Sequence, residues 1–144
     1  MPTELVLRNV NAAREDAVKE LSNSRFMVDY ARGAASEYAT ALREVEERHR
    51  KALSAENAVK LERDSLEAHL TGSADQPAAL RRRIEQLSLR IKELHTETKK
   101  MERAVADTRH RFEDFDTQRM VAEQEVQRIE AELKELDDHI RRLN

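Results

Sequence analysis

From Leu80 to Leu143 apolar residues recur at alternating spacings of three and four without a slip. The a positions of this heptad are Ile84, Ile91, Thr98, Val105, Phe112, Arg119, Val126, Leu133 and Ile140. The d positions are Leu80, Leu87, Leu94, Met101, Thr108, Phe115, Ala122, Ile129, Leu136 and Leu143. Sixteen of these nineteen are apolar, whereas an overall apolar content of 39% would supply about seven by chance, so the spacing predicts a coiled-coil helix.

The first half carries the same period with smaller side chains. Its a positions run Leu7, Arg14, Leu21, Val28, Ala35, Leu42, His49, Glu56, Arg63 and Leu70, and its d positions Val10, Ala17, Ser24, Ala31, Tyr38, Val45, Ala52, Val59 and Leu66. Fourteen of these nineteen are apolar but many are Ala, so this helix buries less per turn. Glu56 and Arg63 interrupt the seam and predict a looser end there. Arg119 is also on the seam, and opposite Ala31 it has room to bend outward to water.

The cluster of turn residues Leu70-Thr71-Gly72-Ser73-Ala74-Asp75-Gln76-Pro77 lies between the two halves. Gly72 in the left-handed conformation would close the first helix, and Asp75 would cap the second with Pro77 in its first turn. The expected organisation is a single coiled-coil unit over 1–144, with a helix over 3–70, a turn over 71–77 and a helix over 77–143. Each helix would be roughly 100 Å long. The expected fold class is all-α, a long antiparallel helical hairpin completed by dimerisation or by partner helices.

A parallel dimer kinked at Pro77 competes with this hairpin, because the heptad phase continues through the turn and β-branched a residues with Leu at d favour two parallel strands. The flanking charges oppose it. Parallel pairing would set Glu97 by Glu102, Glu125 by Glu130, Glu132 by Asp137 and Glu62 by Glu67, against attraction only for Arg111 with Asp116 and Glu20 with Arg25. Folding back about residue 75 would pair Glu62 with Arg90, Glu67 with Arg81, Arg25 with Glu123 and Arg32 with Asp116, leaving Glu20 with Glu132 and Glu46 with Glu102 to repel. The same register sets Ala35 against Phe115, Ala17 against Leu133, Val28 against Ala122 and Tyr38 near Phe112, large against small.

Composition agrees with long helices. Ala, Glu, Lys, Leu and Arg make up 80 of 144 residues, with only two Gly and two Pro. With 38% charged residues and five aromatics the chain has little material for a globular core, while a net charge of only −3 and regular apolar spacing argue against disorder. The absence of Cys excludes disulfides and thiolate zinc sites. MPTELVLRNV has no apolar run long enough for a signal peptide or a membrane span, so the expectation is a cytoplasmic or cytoskeletal protein, with the nucleus left open and no membrane partner.

No constellation for catalysis is visible. His49, His69, His95, His110 and His139 are scattered, with no pair three or four residues apart to hold a metal on one helical face. There is no Cys nucleophile, no Gly-rich phosphate loop, and no Ser set near His and Asp. The expectation is a non-enzyme without cofactor or metal.

Two surface features point to binding. Phe26 is at an outward f position, and Met27, Tyr30, Ala34 and Ala41 form a second apolar stripe beside the seam, with Gly33 among small residues that let another helix approach. One helical partner covers only one of the two stripes, so these five residues are the candidate partner-binding set. The expected function is a structural or adaptor subunit, a scaffold that assembles with itself, for example as a four-helix bundle, or with other helical proteins.

The alternative uses Arg81, Arg82 and Arg83. Residues 78–111 carry ten basic residues against five acidic, and residues 112–138 reverse this with three against ten. A basic hairpin tip could grip an acidic surface such as a microtubule or a nucleic acid. The lack of aromatic side chains for base stacking near the tip argues against nucleic acid, and a solvated first-turn charge cluster is the simpler account of the arginines.

Overall fold

The computed structural model describes residues 2–72 and 77–144. Two helices, α1 (Pro2–Thr71) and α2 (Ala78–Leu143), pack against each other as a helical hairpin, with no strand among the described residues. The described chain divides into two compact units. The first contains residues up to Tyr38 together with those from Arg111 onward, and the second runs from Ala39 to His110. No described helix is long and apolar enough to cross a membrane.

The heptad reading holds along both helices. Every predicted a and d position is buried or half-buried except Arg14, which turns out to pair with Asp137 at 2.6 Å. In the first unit Ala17, Leu21 and Ile129 form a buried cluster, with Val126, Leu133 and Leu136 packed on it. Ile129 is wholly enclosed, which for such a side chain contributes about 1.5–3 kcal/mol. The α1 side of this seam combines Ala17, Ala31 and Ala35 with Val10, Leu21 and Val28, all buried. In the second unit the buried seam residues are Leu87, Ile91 and Leu94 together with two polar ones, Glu56 and Thr98.

The helix ends differ from expectation by small steps. Gly72 does not adopt a positive φ; its N–H donates to the Ala68 carbonyl at 3.2 Å, so the ordinary α-helical bonding pattern simply runs one residue further. Pro77 sits just before α2 and not in its first turn, and its carbonyl accepts the opening bonds from the N–H groups of Leu80 and Arg81. The proposed Asp75 cap lies outside the described residues.

The flanking ion pairs form with different partners than expected. Arg25 bonds Glu130 and not Glu123, at 3.4 Å, and Arg32 bonds Glu123 and not Asp116, at 2.9 Å. Each partner lies one heptad further along α2. Side chains on a helix tilt toward its own N-terminus, so across an antiparallel pair two tilted groups converge from residues that are not level. In the second unit Glu62 takes Arg83 at 2.9 Å, while its expected partner Arg90 is held by Glu93 on its own helix at 3.0 Å.

Both expected repulsions are relieved. Arg128 lies between Glu20 and Glu132, 3.8 and 3.3 Å away, and Glu46 is bonded by Arg109 at 3.3 Å. These pairs are exposed, so each contributes a few tenths of a kcal/mol.

Candidate partner-docking face

Phe26, Met27 and Tyr30 sit on the first-unit stretch of α1 at positions that the a/d seam leaves outside, and all three are exposed, at 68, 49 and 57%. Ala34 is half-buried on the same helix, and Ala41, also half-buried, belongs to the second unit. The face is wider than the sequence stripe. Across from Met27, α2 exposes Val121 at 60%. Met27, Val121 and Ala122 line an open groove of about 550 Å³, with Ser24, Gln118 and Glu125 on its borders. Val121 carries the signal that singles out Phe26, an apolar residue off the seam.

Tyr30 is less free than its exposure suggests. Its ring meets Phe115 edge-on, 6.3 Å between centroids at 70°, and on another side Tyr38 stacks on Phe115 at 5.4 Å and 9°. Tyr38 therefore pairs with Phe115, not with Phe112 as expected. Arg111 lies over the Tyr38 ring, 6.0 Å from its centroid, and donates to its hydroxyl at 3.4 Å.

Charged groups flanking the seam are tied down. Arg128 bonds Glu125, and this hydrogen bond lowers the Glu125 pKa below the usual carboxylate range. Arg119 bends out of the seam to Asp116 and Glu123, at 2.9 Å to each, as its position opposite Ala31 allows. Glu123 also accepts from Arg32, and the Arg32 bond, followed by that of Arg119, holds its pKa down. Hydrogen bonds from Arg119 to Asp116 and then Glu123 raise the Arg119 pKa in turn.

The second unit contains a polar layer that the sequence reading missed. Glu56 does not loosen the seam; only 2% exposed, it is among the most enclosed side chains of the described residues. Its carboxylate accepts from Nδ1 of His95 at 2.8 Å and lies 3.1 Å from Nζ of Lys60. Buried Thr98 is beside the same carboxylate and donates to the Leu94 carbonyl at 2.9 Å. The His95 bond is the main reason the Glu56 pKa falls to about 2, outweighing burial, which acts to raise it. Glu56 is thus a buried carboxylate anion whose charge is matched at the seam's edge. Arg63 lies half-buried with Asp64 at 3.0 Å.

One seam position is less well matched. Nε2 of His49 is buried without a hydrogen-bond partner among the described residues, 3.8 Å from Glu102. Among the described residues no group of three His, Asp or Glu side chains is arranged to hold a metal ion.

The arginine cluster at the start of α2 is partly engaged. Arg83 bonds Glu62, Arg81 has an interaction of its own, and Arg82 is exposed. No protein-family model matches this chain, and neither a curated protein nor a solved structure does.

Proposed function

We propose that this chain is a non-catalytic structural or adaptor subunit that assembles through helices, with itself or with another helical protein, by the face containing Met27, Tyr30 and Val121. The observation that carries this reading is the groove over Met27, Val121 and Ala122, apolar at its floor and open to solvent although the a/d seam of the same unit is already closed. Exposed apolar side chains from two neighbouring helices in one groove are what a further helix needs to lay its own apolar stripe against. Glu125, on the border of the groove, is bonded to Arg128, which lowers the cost of covering that side.

The test is light scattering of the purified chain over a concentration series, beside capture of helical partners, for the wild type and for Met27→Glu and Val121→Glu. The reading requires that either substitution reduce mass or capture while the circular dichroism spectrum is retained. Equal mass and equal capture in all three proteins would remove this face from the proposal.

A further inference from the structure

The heptad repeat alone does not say which residue of α2 faces which residue of α1, because a slip by one heptad returns every a and d position to the seam. The e positions of α2 show how unevenly the charges resolve this. From Asp137 down to Glu102 they read Asp137, Glu130, Glu123, Asp116, Arg109 and Glu102, a single arginine among acids.

In the first unit Arg25 and Arg32 bond Glu130 and Glu123. A one-heptad slip would offer Arg25 either Asp137 or Glu123, and Arg32 either Glu130 or Asp116. Each of these two arginines finds a carboxylate whichever way the helix moves; Glu20 would lose Arg128 for Val121 or Glu135, but at 3.8 Å and exposed that pair is the weaker constraint.

In the second unit the situation is reversed. Glu46 bonds Arg109, and a slip in either direction replaces Arg109 with Glu102 or Asp116. Glu56 is constrained in the same way. Its cross-helix partners are His95 and Thr98, and a slip would bring Ser88 with Ile91, or Glu102 with Val105, to those places. The first exchange leaves the buried carboxylate without its imidazole, and the second sets a like charge against it.

We propose that the register of the hairpin is selected in the second unit, by the Glu46–Arg109 pair and the Glu56–His95 layer, and that Arg25 and Arg32 add attraction without selecting. The two pins act differently. Glu46 and Arg109 are exposed and penalise slipped states by repulsion, while Glu56 is buried and penalises them by losing its partner. This is the use to which a single polar seam residue is put in coiled coils, where it discriminates among pairings that an apolar seam leaves nearly equal.

The chain has no cysteine, so introduced thiols report without interference. Ala17 belongs to the cluster on which Leu133 packs, and Ala17→Cys with Leu133→Cys reports the observed register. Ala17→Cys with Val126→Cys, or with Ile140→Cys, reports a slip of one heptad in either direction. These reporters lie in the first unit and leave both proposed pins unaltered.

In an otherwise wild-type chain, oxidised under dilute conditions, only the first pair closes within the molecule. In a Glu56→Leu/Arg109→Glu background at least one slipped pair should close to a fraction comparable with the first. In an Arg25→Ala/Arg32→Ala background it should not. Slipped pairs that stay open in the first background, with helicity retained, would show that side-chain fit in the seam or the turn sets the register. Slipped pairs that close in the Arg25→Ala/Arg32→Ala background would also overturn the proposal. If the double substitution loses helicity, the milder Glu56→Gln/Arg109→Gln, which weakens both pins, decides: it must yield slipped product, and its absence with helicity retained overturns the proposal.

Discussion

Tyr38 stacks on Phe115 with ring centroids 5.4 Å apart and planes only 9° from parallel, joining the two helices of the first unit through aromatic contact. Phe115 also receives the edge of Tyr30, so one phenylalanine holds two tyrosines of α1. Offset stacking and edge-to-face contact each add about 0.5–1.5 kcal/mol beyond area burial.

Phe115→Ala is accordingly expected to destabilise the protein by about 2–3 kcal/mol, below the figure for a fully buried ring because Phe115 is only half-buried. Leu89 is 61% exposed, and Leu89→Ala should shift stability by less than about 0.5 kcal/mol. Urea unfolding of the two variants checks this, and equal losses would contradict the heptad assignment.

Acid should weaken the second unit through Glu56. Its folded pKa is about 2 against an ordinary value of 4.5, so the folded state favours the carboxylate more than the unfolded chain does. That stability is fully present above about pH 4.5 and is lost as pH falls toward 2. Glu56→Leu should flatten this part of the pH profile. At neutral pH it should also raise stability by about 1–3 kcal/mol, because Lys60 and His95, at 42 and 55% exposure, can return to water when the carboxylate is gone. Thermal melts of both proteins between pH 2 and 6 measure both effects.

Phe26 and Tyr30 should separate association from folding. Phe26 is 68% exposed, and Phe26→Glu should leave the melting temperature nearly unchanged while weakening assembly. Tyr30→Glu should do both, because it also breaks the edge contact to Phe115, at a stability cost of about 1 kcal/mol. A Phe26→Glu chain that melts like the wild type and assembles equally well would reduce that side chain to exposed surface.

Gly33 lies within α1 with open space where a Cβ would stand and without a positive φ. Gly33→Ala should therefore stabilise the helix by about 0.5–1 kcal/mol, chiefly by reducing the freedom of the unfolded chain. If a further helix packs closely at this position, the same methyl lowers association even as the melting temperature rises. Calorimetry paired with light scattering reads the two effects separately.

The seam itself was legible in the residues, from Leu7 to Leu143, because a helix has a fixed period and apolar positions at that period share one side whatever lies against them. The same reasoning placed Phe26, Met27 and Tyr30 outside the seam and let Arg119 bend away from it. Tertiary structure decided which groups meet across the pair. Arg25 reaches Glu130 in place of Glu123, since long side chains tilt along their helices and a difference of one heptad is within their reach. Tyr38 finds Phe115 in place of Phe112 for want of any local rule that distinguishes two ring neighbours on the facing helix. Glu56 looked like a flaw in an apolar seam because its own segment shows only a charge where burial is expected. Lys60, one turn away, supplies part of its compensation, but the largest share comes from His95, far off in sequence, and a buried carboxylate is stabilising or costly according to partners that only the packed helices bring within hydrogen-bonding distance.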